Sequence, residues 1–145
     1  MRARGRTRGE RGSLSVFMVG FAFLGLGLAG ILVDLSSMMN AYLRAADIAE
    51  QAARAGADTI DEDHLLSTGV VRISDAGTAC AAARAIVAAH GDADVVLLSC
   101  RVPDDQHVTV GVRLPWQAYF LAVFGVQGGT RDAEATAGPD TGQGG

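Results

Sequence analysis

The hydrophobic pattern begins with a long uncharged stretch. Residues 13–33 contain no charged side chain and no proline. At about 1.5 Å per residue, a helix of this length covers roughly the 30 Å of a bilayer's hydrocarbon core. We therefore predict a transmembrane helix over residues 13–33, preceded by a basic leader at residues 1–12 and followed at once by Asp34.

The same helix is predicted to continue beyond Asp34 without an obvious break. An alanine stands at every fourth position, and charged side chains lie mainly on the other face. The alanines of this ladder are Ala41, Ala45, Ala49, Ala53 and Ala57. The pattern predicts a helical stalk over residues 34–56 whose narrow apolar face packs closely, against the chain's own head or against neighbouring copies.

Small residues also occur inside the predicted span. Gly25 and Ala29 are four residues apart, a spacing that lets two helix backbones approach closely in lipid. The alternative is that glycine is simply frequent in transmembrane helices. The pair is therefore a candidate for helix packing, together with the alanine ladder.

The residues from 57 to 137 predict a small α+β head. Asp75 can cap the N-terminus of a helix that Gly91 ends. An apolar face before a Pro-Asp-Asp-Gln turn and strict alternation after it predict an antiparallel hairpin. The predicted elements are an acidic connector, at most partly helical, at 58–68, a short strand at 70–73, a helix at 76–90, hairpin strands at 94–102 and 107–114, and a third strand at 130–137. On the first hairpin strand, alternation predicts one face of Val96, Leu98, Cys100 and Val102.

An aromatic segment at residues 115–126 interrupts this series. It holds Trp116, Tyr119, Phe120 and Phe124 and is too short to span a membrane. We predict a core helix that covers the sheet, because aromatic side chains mostly pack. The alternative is a belt at the outer membrane surface, where Trp and Tyr are enriched. The glycine-rich tail at 138–145 is predicted to be disordered.

The charges predict a topology. Residues 1–12 carry five arginines and one glutamate, whereas residues 57–145 carry five arginines and twelve acidic side chains. Basic residues beside a span stay in the cytoplasm, which predicts a single-pass protein with a cytoplasmic N-terminus and an extracytoplasmic head. A basic tip can also indicate nucleic acid, but topology explains these arginines better, and we expect no nucleic-acid partner. The apolar stretch is longer than that of an ordinary cleaved signal peptide and lacks its small-x-small site, which favours a retained anchor or a pilin-type leader.

Candidate chemistry is sparse. Cys80 and Cys100 fall on the predicted outer side, where disulfides persist, and one bridge between them would close a loop of about 20 residues. The alternatives are two buried thiols, or a zinc site with His90 and His107 that lacks the close ligand pairs of structural sites. The acidic run at 61–64 lacks the glycine turn of a calcium loop. We find no nucleophile motif and no phosphate loop, and we expect neither an enzyme nor a cofactor or metal.

Taken together, several motifs resemble the TadE/TadG-like family of Tad (Flp-type) pilus assembly, especially its short actinobacterial members. The residues are Arg11-Gly12-Ser13-Leu14-Ser15-Val16-Phe17, Val33-Asp34, Arg44-Ala45-Ala46-Asp47, Phe124-Gly125-Val126, and a last strand through Ala133, Ala135 and Ala137. The resemblance implies a type IV pilin-like α+β fold, a long helix with a small head, and a minor pilin or pseudopilin. It also implies prepilin-peptidase cleavage between Gly12 and Ser13. The sequence departs from the pilin pattern at Phe17, where pilins usually have the glutamate that pairs with a neighbouring subunit's N-terminus.

These observations predict a non-enzymatic membrane component of a Tad-like pilus or secretion system that acts through helix packing. Its expected partners are the membrane, other pilus-assembly subunits and, as a possible homo-oligomer, further copies of itself. The alternative is a membrane-tethered extracytoplasmic module that binds or senses a ligand through the hairpin or the aromatic segment.

Overall fold

The computed structural model describes residues 10–91 and 94–139. A long helix is followed by a small head of two shorter helices and a three-stranded antiparallel sheet with strand order β1-β2-β3. The elements are α1 (Glu10–Ala57), α2 (Glu62–Thr68), α3 (Ala76–Ala89), β1 (Val96–Asp104), β2 (His107–Gln117), a 3₁₀ turn (Leu121–Phe124) and β3 (Gly128–Ala137). The predicted α+β, pilin-like fold class is confirmed.

Helix α1 is continuous over 48 residues, a length of about 72 Å. It is long and apolar enough to cross a membrane, and its most apolar 18-residue window has a mean hydropathy of 2.5 with no buried residue. Large side chains of its first half, such as Phe17, Phe23 and Leu32, are more than 60% exposed. The second half packs against the head. Span and stalk are therefore two parts of one helix, whereas residues 1–9 of the predicted leader lie outside the described residues.

The alanine ladder forms the centre of the head's core. Ala45, Ala49 and Ala53 are 0% exposed, and they cluster with residues of α3 and of the sheet. A Cβ placed on Gly56 would come within 3.0 Å of the Ala79 carbonyl oxygen, which shows how closely α1 and α3 approach. The structure thus places the ladder against the head of its own chain. Because these three side chains are buried in the head, they cannot contact a neighbouring copy in this fold.

The sheet has the predicted hairpin and the predicted third strand. Val108, Val110 and Val112 of β2 are fully buried in the core, where β2 packs against α1. β2 pairs with β1 around the turn that follows Asp104, and with β3 over ten consecutive residue pairs. Because β2 lies between two partners, it forms the middle of the sheet and carries most of its buried side chains.

The predicted inner face of β1 is partly wrong. The register shifts between Leu97 and Ser99, so that Leu97 packs against the core while Leu98 is 42% exposed. A bulge of this kind adds a residue to one strand and reverses the alternation on one side of it. Beyond the bulge, Cys100 and Val102 face inward as predicted.

Helix α3 begins and ends where the sequence indicates. The Asp75 carboxylate accepts hydrogen bonds from the Thr78 amide at 3.1 Å and the Thr78 hydroxyl at 2.6 Å, which caps the helix N-terminus. Gly91 has a φ of 68°, the left-handed conformation that favours glycine after a helix end. Cys80 of α3 and Cys100 of β1 form a disulfide with a Cα–Cα distance of 5.8 Å, so the helix is joined covalently to the sheet.

The acidic connector is ordered by local bonds. α2 forms its second half, and Asp61 caps that helix by accepting from the His64 amide at 3.0 Å. The same carboxylate pairs with Arg72 at 2.5 Å. The predicted strand at 70–73 is reduced to a single bridge between Ile60 and Ile73.

The prediction of a core helix at residues 115–126 is wrong. Residues 115–117 instead extend β2, because Gln117 pairs with Gly128 at the start of β3. The chain then makes a short 3₁₀ turn that contains no buried residue. Gly125, at a φ of 89°, and Gly128, at 116°, reverse the direction of the chain.

Candidate functional site

Among the described residues, the junction between α1 and the end of β2 holds a buried carboxylate. The Asp34 side chain is 1% exposed, although it follows directly on the apolar span. Its Oδ1 accepts hydrogen bonds from the amides of Tyr119 at 2.7 Å and Phe120 at 3.1 Å, and its Oδ2 accepts one from the amide of Leu121 at 2.6 Å. One carboxylate therefore holds three consecutive backbone N–H groups.

The local geometry explains why a carboxylate is needed at this position. β2 ends at Gln117, and the chain then enters the 3₁₀ turn. The first amides of a helical turn have no partner inside it, and they are normally satisfied by a capping side chain just before the turn. Phe120 provides no such side-chain cap. Asp34, 85 to 87 positions away in sequence, acts as the cap from α1.

Further contacts hold the two elements together. The Ser37 hydroxyl donates to the Gln117 carbonyl oxygen at 3.0 Å, one turn beyond Asp34 on α1. The guanidinium of Arg131 on β3 contacts the sulfur of Met38. The head is thereby attached to α1 at residues 34, 37 and 38 of the helix.

Gly30 provides space for an aromatic ring. A Cβ at this position would overlap the ring of Phe120, whereas a Cβ at Gly20, Gly25 or Gly27 would meet nothing. The Phe120 ring in turn lies 5.6 Å from the ring of Phe124, centroid to centroid. The glycine in the last turn of the span is thus the one of these four whose small size the structure uses.

The aromatic segment is largely exposed. Tyr119 is 66% exposed, Phe124 71% and Val123 82%. Tyr119 borders an open groove with residues 32–40 of α1, and the 3₁₀ turn contains no buried residue.

The remaining predicted site residues lie on the exposed part of α1 or in the disulfide. Gly25 and Ala29 are exposed, and a Cβ at Gly25 would meet no atom of the described residues within 4 Å, so the pair remains a predicted contact for another helix. Ala41 is half-buried at the edge of the ladder. The backbone of Gly12 and Ser13 is helical, within the first turns of α1. Cys80 and Cys100 are joined, so their sulfur atoms are not available to the alternative zinc site.

Ion pairs on the head shift the acidity of its carboxyl groups. Arg113 of β2 donates two hydrogen bonds of 2.6 Å to Asp132 of β3, and this contact lowers the pKa of Asp132 below its ordinary value. The hydrogen bond from Arg72, followed by that from the His64 amide, lowers the pKa of Asp61 in the same way. Both carboxylates serve structural pairs. Within residues 10–91 and 94–139, no three His, Cys, Asp or Glu side chains are grouped so that they could hold a metal ion.

Sequence reasoning missed the capping role of Asp34 and the contact between Gly30 and Phe120. The signal for Asp34 was present, since it is the first charged side chain after residue 12 and has no oppositely charged residue within four positions. Its partners are backbone amides from the other end of the chain, and backbone amides carry no sequence signature. Gly30 is one of four glycines in the span, and nothing in its local sequence distinguishes it from the other three.

The comparisons with known proteins give a match that covers most of α1. No curated protein and no solved structure matches the chain. A family model does match, from the predicted cleavage pair to just beyond the end of α1. Residues 12–59 are similar to the Flp pilus-assembly TadE/G-like family, and this match confirms the resemblance predicted from the sequence.

Proposed function

We propose that this protein is a non-enzymatic, minor pilin-like component of a Tad/Flp-type pilus or secretion machine. The observation that carries the proposal is the match of residues 12–59 to the TadE/G-like family, because it coincides with one long helix. The first half of this helix is apolar and exposed, and its second half forms the core of the head. A head carried on a membrane helix is the arrangement that a pilin-like subunit requires.

Two features support an extracytoplasmic head. The disulfide between Cys80 and Cys100 suits an oxidising compartment, since such bonds are rare in the cytosol. The arginines of residues 1–12 suit the cytoplasmic side of a span. The protein would therefore cross the membrane once, with its N-terminus inside.

Assembly would take place through the exposed part of α1. Gly25 and Ala29 are open to a neighbouring helix, whereas the alanine ladder is occupied by the head. Small residues at this spacing let two helices pack closely in lipid, where association depends on close contact and not on the hydrophobic effect. Other pilus-assembly subunits, or a second copy, are the partners that this surface suits.

The N-terminus distinguishes two forms of the proposal. Cleavage between Gly12 and Ser13 would release α1 for insertion in a filament, whereas an intact leader would keep the protein as a permanent anchor of the assembly machine. Phe17 stands where pilins usually carry glutamate, and this favours a protein that does not polymerise in the ordinary pilin manner.

The experiment is intact-mass and N-terminal analysis of the protein purified from its native membrane, together with identification of the proteins that co-purify. A start at Ser13 indicates a processed minor pilin, and a retained leader indicates a membrane-bound assembly factor. Co-purified pilus-machine subunits support either form. Co-purification of these subunits is also measured for Gly25→Leu and for Gly20→Leu. Both glycines are exposed, but only Gly25 belongs to the small-residue pair, so the proposal expects Gly25→Leu to reduce co-purification more. Recovery of the protein free of any such subunit contradicts the proposal.

A further inference from the structure

The surface of the aromatic segment is apolar over a long run of sequence. From Leu114 to Thr130 the chain contains no charged side chain. Within this run Tyr119, Val123 and Phe124 are each at least 66% exposed. A patch of this kind on a small head is unusual, because soluble surfaces rarely leave neighbouring large apolar side chains open to water.

The segment lies beside the end of the apolar span. Asp34 binds its amides, and the ring of Phe120 occupies the space over Gly30, one turn of helix earlier. Phe124 stacks at an angle against Phe120. Two independent contacts thus place the patch at the level of residues 30–34 of α1.

The adjoining side of α1 is apolar as well. Leu32 is 64% exposed and Val33 56% exposed, although both lie next to the buried Asp34. The exposed apolar surface therefore continues from the span onto the head without a charged residue between them. On α2, by contrast, the exposed Leu66 stands in a helix that carries Glu62 and Asp63 in its first turn.

We propose that the segment from Tyr119 to Val126 inserts into the interfacial layer of the lipid bilayer and holds the head against the membrane surface. The proposal rests on the membrane span of the proposed function and adds a second contact with lipid. Gly30 lies four residues before Asp34, so Phe120 reaches about 6 Å along the helix into the apolar level. Amphipathic segments that bind the interface reach about 5–10 Å deep, and Tyr is enriched there.

Lipid is favoured over a second copy by the continuity of the surface. A protein partner would have to cover the patch at the depth where acyl chains already surround α1. The hydrogen bonds that Asp34 accepts fix the depth of the segment relative to the helix. The span and the head therefore meet the bilayer as one rigid unit.

Single-tryptophan reporters in the full chain test this placement. Trp116→Phe removes the native tryptophan. Into this background one introduces Phe124→Trp in the patch, Phe23→Trp in the span and Leu66→Trp on α2. The three positions are 71%, 70% and 85% exposed, so the reporters start from similar surroundings in the protein. Each variant is reconstituted in phosphatidylcholine vesicles with brominated acyl chains, and separately treated with aqueous iodide.

We expect brominated lipid to remove a several-fold larger fraction of emission from the Phe124→Trp reporter than from the Leu66→Trp reporter. Iodide should give the reverse order. Val123→Trp repeats the measurement at an adjacent exposed position, in case the Phe124→Trp protein does not fold.

Two outcomes overturn the inference. Quenching of the Phe124→Trp reporter by iodide to the same extent as the Leu66→Trp reporter places the patch in water. Protection from both quenchers places it against protein instead of lipid. The Phe23→Trp reporter tests the membrane span separately. If α1 crosses the membrane, brominated lipid must still quench its emission, whichever result the Phe124→Trp reporter gives.

Discussion

Replacing Ala49 with leucine tests whether the alanine ladder belongs to the head or to an interface between subunits. Ala49 is the middle member of the ladder, and none of its surface is exposed. It clusters with buried residues of α3 and of the sheet. Leucine adds three carbon atoms where the protein has no free space, so the surrounding side chains must shift.

The size of the effect follows from the packing. Extra methylene groups in a well-packed core typically cost about 1–3 kcal/mol of unfolding free energy. For a unit of about 60–100 residues, each kcal/mol shifts the unfolding midpoint by roughly 4–8 °C. A cost of about 2 kcal/mol therefore lowers the midpoint by roughly 8–16 °C. Ala49→Val adds two carbons and should give a smaller shift in the same direction.

The assay is thermal unfolding of the full chain in detergent, followed by near-ultraviolet circular dichroism, which reports tertiary packing. Gln51→Leu is the matched control, because it introduces the same side chain on the exposed face of the same helix, only two residues away. Its only described side-chain contact is an exposed hydrogen bond to Asp47, so the midpoint should stay close to that of the wild type.

One result refutes this reasoning. If Ala49→Leu unfolds at the wild-type temperature but no longer co-purifies with its partner subunits, the ladder contacts another molecule and the observed packing is not its role. An equally large fall in the unfolding midpoint of Gln51→Leu would also contradict the reasoning, since the exposed face would then be as tightly packed as the ladder.

Three further changes test other parts of the structure. The double variant Cys80→Ser/Cys100→Ser opens a loop of 20 residues and should lower the unfolding free energy by about 3 kcal/mol in the chain-entropy model, measured by thermal unfolding against the wild type with and without reductant. Gly30→Val places a side chain where the ring of Phe120 lies, and it should release the segment after β2, seen as faster amide hydrogen exchange there with unchanged exchange in α3. The pKa of Asp132 is held below its ordinary 3.8 by its arginine partner, so this pair stabilises the head above about pH 4 and loses its effect as pH falls through the lowered value. Asp132→Asn should therefore make the unfolding midpoint fall less steeply below pH 4, and an unchanged slope would contradict the assignment.

Much of the architecture follows from local periodicity in the sequence. The uncharged run at 13–33 and the alanine ladder both predict one helix, because apolar and small positions recur on a helical period. Alternating valines predict the hairpin, because successive side chains of a strand point to opposite faces of the sheet. The cap at Asp75 is also local, since its partner lies three residues away. These features depend on neighbours in sequence, so they can be inferred without the fold.

Tertiary structure alone decided the features that depend on distant residues. The pattern of the aromatic segment predicts a helix, but pairing with β3 draws residues 115–117 into β2 and leaves only a short 3₁₀ turn after them. The bulge in β1 arises from its register on β2, where Ser99 lies opposite Gly111. The ladder could face its own head or another subunit, and the buried surface of the head resolved the choice. Asp34 finds its amides 85 residues away, and backbone groups leave no trace in a sequence, so only the folded chain could reveal that this carboxylate attaches the head to the end of the span.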